Sequence, residues 1–169
     1  AELRRHMEES ERARAALLSV LEDQREAAAQ IRRLNTAYAT LSQTNEAIVR
    51  LGNRDELFAR ICRIAVETGG YLGAWIGLVD EAAKTLAPVA SAGSLDDYIE
   101  RISTSTDPAH SDGHGPSGIA LDKGEPYYCN DFLNDPATAR WHDLAREFGF
   151  RASVALPLRR RNFVGGTLN

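Results

Sequence analysis

Glycine and proline are absent from the first fifty-one residues of the chain, although the whole sequence contains 13 glycines and 6 prolines. These two residues interrupt helices more strongly than any others, so their absence permits one helix without a break. At about 1.5 Å per residue, such a helix would be roughly 75 Å long. Gly52, the first glycine, marks the predicted end of the helix.

Long apolar runs and clustered cysteines are also missing. No run approaches the eighteen or so apolar residues that span a bilayer, and the charged start contains no signal peptide, so we expect a cytoplasmic chain without membrane contact in this stretch. The two cysteines, Cys62 and Cys129, are far apart and form no C-x-x-C pair. This usage excludes a disulfide framework and a structural zinc site, and it fits a reducing compartment.

An excess of basic residues is the third feature that the chain lacks. The net charge is −4. Residues 1–51 carry 8 basic and 8 acidic side chains, which leaves 12 basic against 16 acidic in residues 52–169. A nucleic-acid-binding domain normally presents a basic face, so we expect no nucleic-acid partner.

Residues 1–51 do contain a heptad repeat with Leu3 at its first position, and ten of the fourteen first and fourth positions are apolar. Such a narrow stripe is typical of a coiled-coil seam, because a lone helix cannot bury it. Buried amides at first positions pair best with themselves across a two-fold axis, which favours a parallel, in-register homodimer over a solvated helix that caps its own domain. The predicted dimer seam comprises Leu17, Val20, Gln24, Ile31, Leu34, Tyr38, Leu41, Asn45 and Ile48.

Residues 52–169 alternate between helical and strand patterns. Asn53 with Glu56 resembles a capping box that opens a helix ending at Gly69, and Ser94 with Asp97 resembles a second one. Two further helices are predicted over 116–123, closed by Gly124, and after Asp135-Pro136. Strands are predicted by β-branched and aromatic residues over 71–80, 85–92, 126–130, 151–159 and 163–169, the last two joined by a tight basic turn. The polar stretch 103–115 has no periodicity, so this loop is either mobile or functional.

Five blocks in this order resemble a GAF domain, of the type found in bacterial sensor kinases and cyclic-di-GMP enzymes. They are Gly115-Pro-Ser-Gly-Ile-Ala, Gly124-Glu-Pro-Tyr-Tyr-Cys-Asn-Asp131, Asp135-Pro136, Gly149 to Leu158, and Val164-Gly-Gly-Thr-Leu-Asn169. The resemblance implies an α+β fold, with a six-stranded antiparallel sheet, helices on both faces and a small-molecule pocket between the sheet and the long loop. We therefore divide the chain into a coiled-coil signalling helix, 1–51, and a GAF-like sensory domain, 52–169.

The resemblance also implies what lies outside the chain. Members of the family normally continue through the last strand into a C-terminal helix, so we expect the domain to be incomplete at Asn169. An output domain, whether a kinase, a diguanylate cyclase or a phosphodiesterase, is expected in the same full-length protein. A two-component or cyclic-di-GMP pathway would be its setting.

The known ligands of the family match the chain poorly. A covalent bilin needs a cysteine followed by histidine where this chain has Trp141-His142, and the cyclic-nucleotide signature has no match. Reductases of this family need several pocket cysteines, and here Cys129 stands alone. An axial haem role for His142 stays open. His110 and His114 lie in a loop rather than on a helix, so their spacing fixes no metal geometry and no metal site is predicted.

The sequence therefore predicts a non-catalytic sensory and dimerisation module that binds an unknown small molecule. A mostly apolar pocket needs few polar groups to select its ligand. Two alternatives stay open, namely a small-molecule redox enzyme that uses Cys129 and a purely structural dimerisation spacer. The candidate ligand-binding residues are Trp75, Tyr98, Tyr128, Asp131, Trp141 and Ser153.

Overall fold

The computed structural model describes residues 2–107, 109–161 and 163–169. The predicted long loop and the predicted basic turn each include one residue outside these ranges, Pro108 and Asn162 respectively. The first helix, α1, spans Glu2–Arg50 without interruption, as the absence of glycine and proline predicts. No helix among the described residues is both long and apolar enough to cross a membrane.

Helix α2, Arg54–Glu67, begins and ends where the sequence predicts. The Asn53 side chain accepts a hydrogen bond from the backbone N–H of Asp55 at 2.9 Å, which satisfies one free donor of the first turn. The inner face of α2 packs against the sheet, and Cys62 is fully buried there against Ala74 and Ile76. The expectation that Cys62 is a core residue is confirmed.

The strands are β1, Gly73–Asp80; β2, Thr85–Gly93; β3, Tyr127–Cys129; β4, Ser153–Arg160; and β5, Phe163–Leu168. They form an antiparallel sheet with the order β2-β1-β5-β4-β3. Alternation along β1 turns Ala74 and Ile76 towards α2 and turns Trp75 to the opposite face. The pairing of Ile76 with Leu168 and of Leu168 with Leu156 extends the α2 face across β5 to β4.

The six-stranded sheet that the resemblance implies is wrong for the described residues, whose sheet has five strands. On the free edge of β2, the segment around Ser105 forms a single bridge, to Thr85, and no sixth strand. Side chains turn this segment away from the sheet. The Ser105 hydroxyl accepts from the N–H of Asp107, and the Asp107 carboxylate accepts from the N–H of Ala109.

The remaining helices are α3, Asp96–Arg101; α4, Pro116–Lys123; and α5, His142–Phe148. Helix α4 has the predicted bounds, with Gly124 at a φ of 64° after its end. The predicted cap at Ser94 is wrong, because the residue that precedes α3 is Leu95. After Asp135, the chain first forms a 3-10 helix, Pro136–Trp141, and only then α5.

Helix α1 contacts its own domain through the polar and small residues of its C-terminal third. Ala47 is buried, and the Thr68 hydroxyl, just after α2, donates to the side-chain oxygen of Gln43 at 3.0 Å. Gln43 lies two residues from both Leu41 and Asn45, which is a rotation of about 200° around a helix. Asn45 of the predicted seam therefore lies on the side of α1 away from the domain, whereas Leu41 also lines a groove with Gly69 and Tyr71.

Candidate functional site

A cavity of about 660 Å³ lies at the end of the sheet where β5 finishes between β1 and β4. On the Trp75 face of the sheet, its walls come from α3, from the start of α4 and from the segment 130–153. On the opposite face it reaches α2 and α1 through Ile61, Ala65 and Thr44. The cavity therefore touches both layers of helices.

Two tryptophans of the cavity wall rest on glycines. A Cβ atom at Gly77 would lie 2.7 Å from the Trp75 ring and 2.6 Å from Leu86. A Cβ atom at Gly115 would lie 2.5 Å from the Trp141 ring. Since real Cβ atoms do not approach so closely, only glycine allows each indole to lie this close to the backbone at these positions.

Three further rings form the wall next to α3 and α5. The rings of Tyr98 and Phe150 meet edge to face with centroids 5.2 Å apart, and those of Phe132 and Phe150 do so at 4.9 Å. Edge-to-face pairs are favourable beyond the area that they bury, so this wall is rigid. Burial raises the pKa of Tyr98 to about 12, and its hydroxyl is therefore neutral at physiological pH.

Few polar groups face the cavity. The Ser117 hydroxyl at the start of α4 donates to the Asn169 side-chain oxygen at 2.7 Å, and the Asn169 amide donates to Thr167 at 2.9 Å. The Ser153 hydroxyl oxygen has almost no accessible surface and, alone among the buried side-chain nitrogen and oxygen atoms of the described residues, has no hydrogen-bond partner. A buried hydroxyl without a partner is unfavourable by about 1–3 kcal/mol, and because this oxygen has almost no accessible surface it does not face the cavity.

The structure brings together five of the six residues that the sequence nominates as ligand-binding. The cavity wall on the Trp75 face of the sheet includes Trp75, Tyr98, Trp141 and Ser153, and the wall on the α2 face includes Tyr128. Asp131 does not line the cavity. It accepts hydrogen bonds from the side chain and the N–H of Asn134, so it holds the turn after β3.

Sequence reasoning missed the contribution of α1 to the cavity, which comes from Thr40 and Thr44. Each threonine hydroxyl donates to the carbonyl oxygen four residues earlier, at 2.8 Å. Such bonds often bend helices. The spacing Thr36, Thr40, Thr44 is visible in the sequence and marks one helical face, but nothing local shows that this face meets the domain.

The environment of Cys129 does not favour redox or nucleophilic chemistry. Burial, together with a hydrogen bond to the Asp135 carboxylate, raises the pKa of this thiol to about 11. The thiol lies in the core cluster with Phe132 and does not line the cavity. A nucleophilic cysteine needs a lowered pKa and access to its substrate, and Cys129 has neither.

The histidines considered in the sequence lie away from the cavity. The Nε2 atom of His142 is 3.2 Å from the Thr138 hydroxyl, and its ring packs against Phe132. His110 precedes the 3-10 helix Ser111–His114 and accepts from the N–H of Asp112 at 3.2 Å, while His114 is exposed at the other end. None of the three lines the cavity, so the geometry offers no axial ligand for a haem placed in it.

An antiparallel sheet with helices on both faces and a cavity against one end defines a sensor-like α+β domain. The chain belongs to the GAF family, because the model of the GAF domain matches residues 52–169. The structural comparisons agree with this assignment.

Three solved structures show the same fold. The GAF domain of a phosphoenolpyruvate-protein phosphotransferase from Coxiella burnetii has a TM-score of 0.61 at 15% identity, covering 80% of this chain and 76% of that chain. The nlh2 GAF domain of A. aeolicus gives 0.61 at 15%, covering 82% and 78%. The free methionine-R-sulfoxide reductase of Neisseria meningitidis gives 0.63 at 17%, covering 80% and 72%. No curated protein is similar enough in sequence to count as a relative.

Proposed function

We propose that the chain is a non-catalytic sensory and dimerisation module of a multidomain bacterial signal-transduction protein. Two copies pair in parallel through α1, and a small molecule binds in the cavity. The signal passes through α1 and biases an output domain of the same full-length protein in the cytoplasm. Domains of this family are generally regulatory, which supports a sensory role over a catalytic one.

The observation that carries this proposal is that one face of α1 contacts the domain while another face is exposed. One face of its C-terminal third contacts the domain through Thr40, Gln43 and Thr44, and two of these side chains line the cavity. The other face exposes the seam, in which Leu34 is 62% and Tyr38 75% accessible to solvent in a single chain. Exposed apolar stripes of this kind mark sites of association.

A physical route joins the two faces. A ligand that contacts Thr40 or Thr44 acts on a segment of α1 whose hydroxyls already hydrogen-bond the preceding turn. A small bend or rotation there changes the register of Leu41 and Asn45 in the seam. A ligand shifts such an equilibrium only by its difference in affinity for the two arrangements, and contact with α1 supplies that difference.

Sedimentation of the purified chain tests the dimer. We expect a two-stranded assembly at high micromolar concentration. We also expect the double variant Gln24→Leu, Asn45→Leu to associate more tightly but without a fixed orientation, because buried amides specify register at the expense of stability. A wild-type chain that stays monomeric under these conditions would contradict the proposal.

The redox alternative has less support. The similarity to the methionine-R-sulfoxide reductase is at the level of fold, and the buried Cys129 thiol is held neutral away from the cavity. A thermal-shift screen without any stabilising compound would instead favour the spacer, whose cavity serves no ligand.

A further inference from the structure

We infer that the cavity takes an uncharged, mainly apolar ring compound. This inference rests on the proposed sensory function and names the class of ligand for the same cavity. Two observations carry it, namely the absence of charge from the wall and the aromatic rings that form much of it.

The described side chains that line the cavity include no aspartate, glutamate, lysine, arginine or histidine. Two arginines near the cavity are paired with carboxylates instead. Arg101 bonds the carboxylate of Glu147, and Arg140 lies 2.8 Å from the carboxylate of Asp112. A charged ligand would lose its hydration without gaining a counter-charge, which is strongly unfavourable. A neutral ligand avoids this penalty.

The shape of the cavity favours rings. Trp75 and Trp141 lie close to the backbone of Gly77 and Gly115, and the Tyr98, Phe132 and Phe150 rings make edge-to-face contacts. Aromatic faces bind planar or edge-on rings in preferred geometries, and a ring ligand loses little conformational entropy.

A charge series on one ring system tests the inference. The probes are 2-naphthol, naphthalene, 2-naphthoate and 2-naphthylmethylammonium, with binding measured by calorimetry and ligand-observed NMR. The chain is used with Asn169 amidated, so that its terminal carboxylate adds no charge beside Ser117. We expect 2-naphthol to bind at least about tenfold more tightly than either ion.

Naphthalene is the uncharged probe without a hydrogen-bonding group, and we expect it also to bind more tightly than either ion. The control Ser103→Ala, at an exposed serine outside the cavity wall, should change none of these affinities.

The failure of this inference can be told apart from failure of the relay, which is the proposed passage of the signal from the cavity to the seam through α1. Either ion binding as tightly as 2-naphthol, or no probe binding up to its solubility limit, would overturn the ligand class and leave the dimer intact. The relay is read separately from the rate of disulfide formation by Asn45→Cys in the seam. Binding of 2-naphthol without any change in that rate would retain the ligand class and reject the relay.

Discussion

At the scale of single residues, the cavity depends on glycines that lie beneath its tryptophans. Gly77→Ala places a methyl group within 2.6 Å of Leu86 and 2.7 Å of Trp75, so one of these side chains must move. We expect a loss of about 1–3 kcal/mol in the free energy of unfolding, measured by urea denaturation followed by circular dichroism.

Gly52→Ala is the matched control, because its new Cβ would meet no atom within 4 Å. We expect this variant to be unchanged or up to about 1 kcal/mol more stable, since alanine restricts the unfolded chain. Equal stability of the two variants would show that Trp75 does not need the glycine.

The Cys129 thiol should be inert in the folded protein. Its pKa is raised from 9.0 to about 11, so at pH 8 it holds roughly a hundredfold less thiolate than an ordinary cysteine. We expect alkylation of Cys129 by iodoacetamide, followed by peptide mass spectrometry, to be slow in buffer and fast in urea. An exposed Ser103→Cys thiol provides the positive control, and rapid native alkylation of Cys129 would reopen the redox alternative.

The same shift has a consequence for stability. Because the pKa is higher in the folded state, burial of the neutral thiol stabilises the fold below pH 9, and this contribution is lost as the pH rises from 9 towards 11. Cys129→Ala should therefore flatten this part of the pH dependence of stability.

At the scale of elements, α1 presents two faces with different tasks. Leu17→Glu puts a charge into the first position of a heptad, and Ala15→Glu puts the same charge on the outer surface, about half a turn away around the helix. Both residues are exposed in a single chain, so neither change should affect the fold of the domain. We expect Leu17→Glu to raise the dimer dissociation constant at least about tenfold in sedimentation, because a buried charge opposes its own copy.

Ala15→Glu should leave that constant within about twofold of the wild type, since its side chain stays in solvent. Equal effects of the two variants would place the contact between chains elsewhere on α1.

The elements that follow from local signals could be predicted from the sequence, and those that depend on distant contacts could not. Helix α4 follows from Pro116 and Gly124, which fix its ends through their own backbone preferences. The cap at Ser94 could not be excluded locally, because the start of α3 depends on Leu95, which is buried against Gly73. The edge of the sheet depends on side-chain turns around Asp107 that no strand pattern reveals.

The same distinction applies to the cavity. Tyr128 and Ser153 could be nominated because they lie in blocks that resemble the family, and Trp75, Tyr98 and Trp141 could be nominated only as large aromatic residues outside those blocks. Thr40 and Thr44 could not, because they reach the cavity only after α1 packs against α2 and Tyr71. Contacts between a long helix and the domain that follows it are a property of the tertiary structure.

At the scale of the whole molecule, the two tasks of α1 predict two unfolding transitions. Both tryptophans, Trp75 and Trp141, lie in the domain and none in α1, so tryptophan fluorescence reports only the domain. Circular dichroism reports mostly helix, and α1, with its 49 residues, is the longest helix.

If α1 pairs with a second chain, its melting temperature must fall on dilution, because dissociation accompanies unfolding. The domain has its own core and should melt at one temperature at every concentration. We therefore expect a hundredfold dilution to lower the dichroism transition by several degrees and to leave the fluorescence transition in place. If both methods gave the same melting temperature at every protein concentration, α1 would be stabilised by its own domain alone. The exposed apolar residues of α1 would then need a different partner.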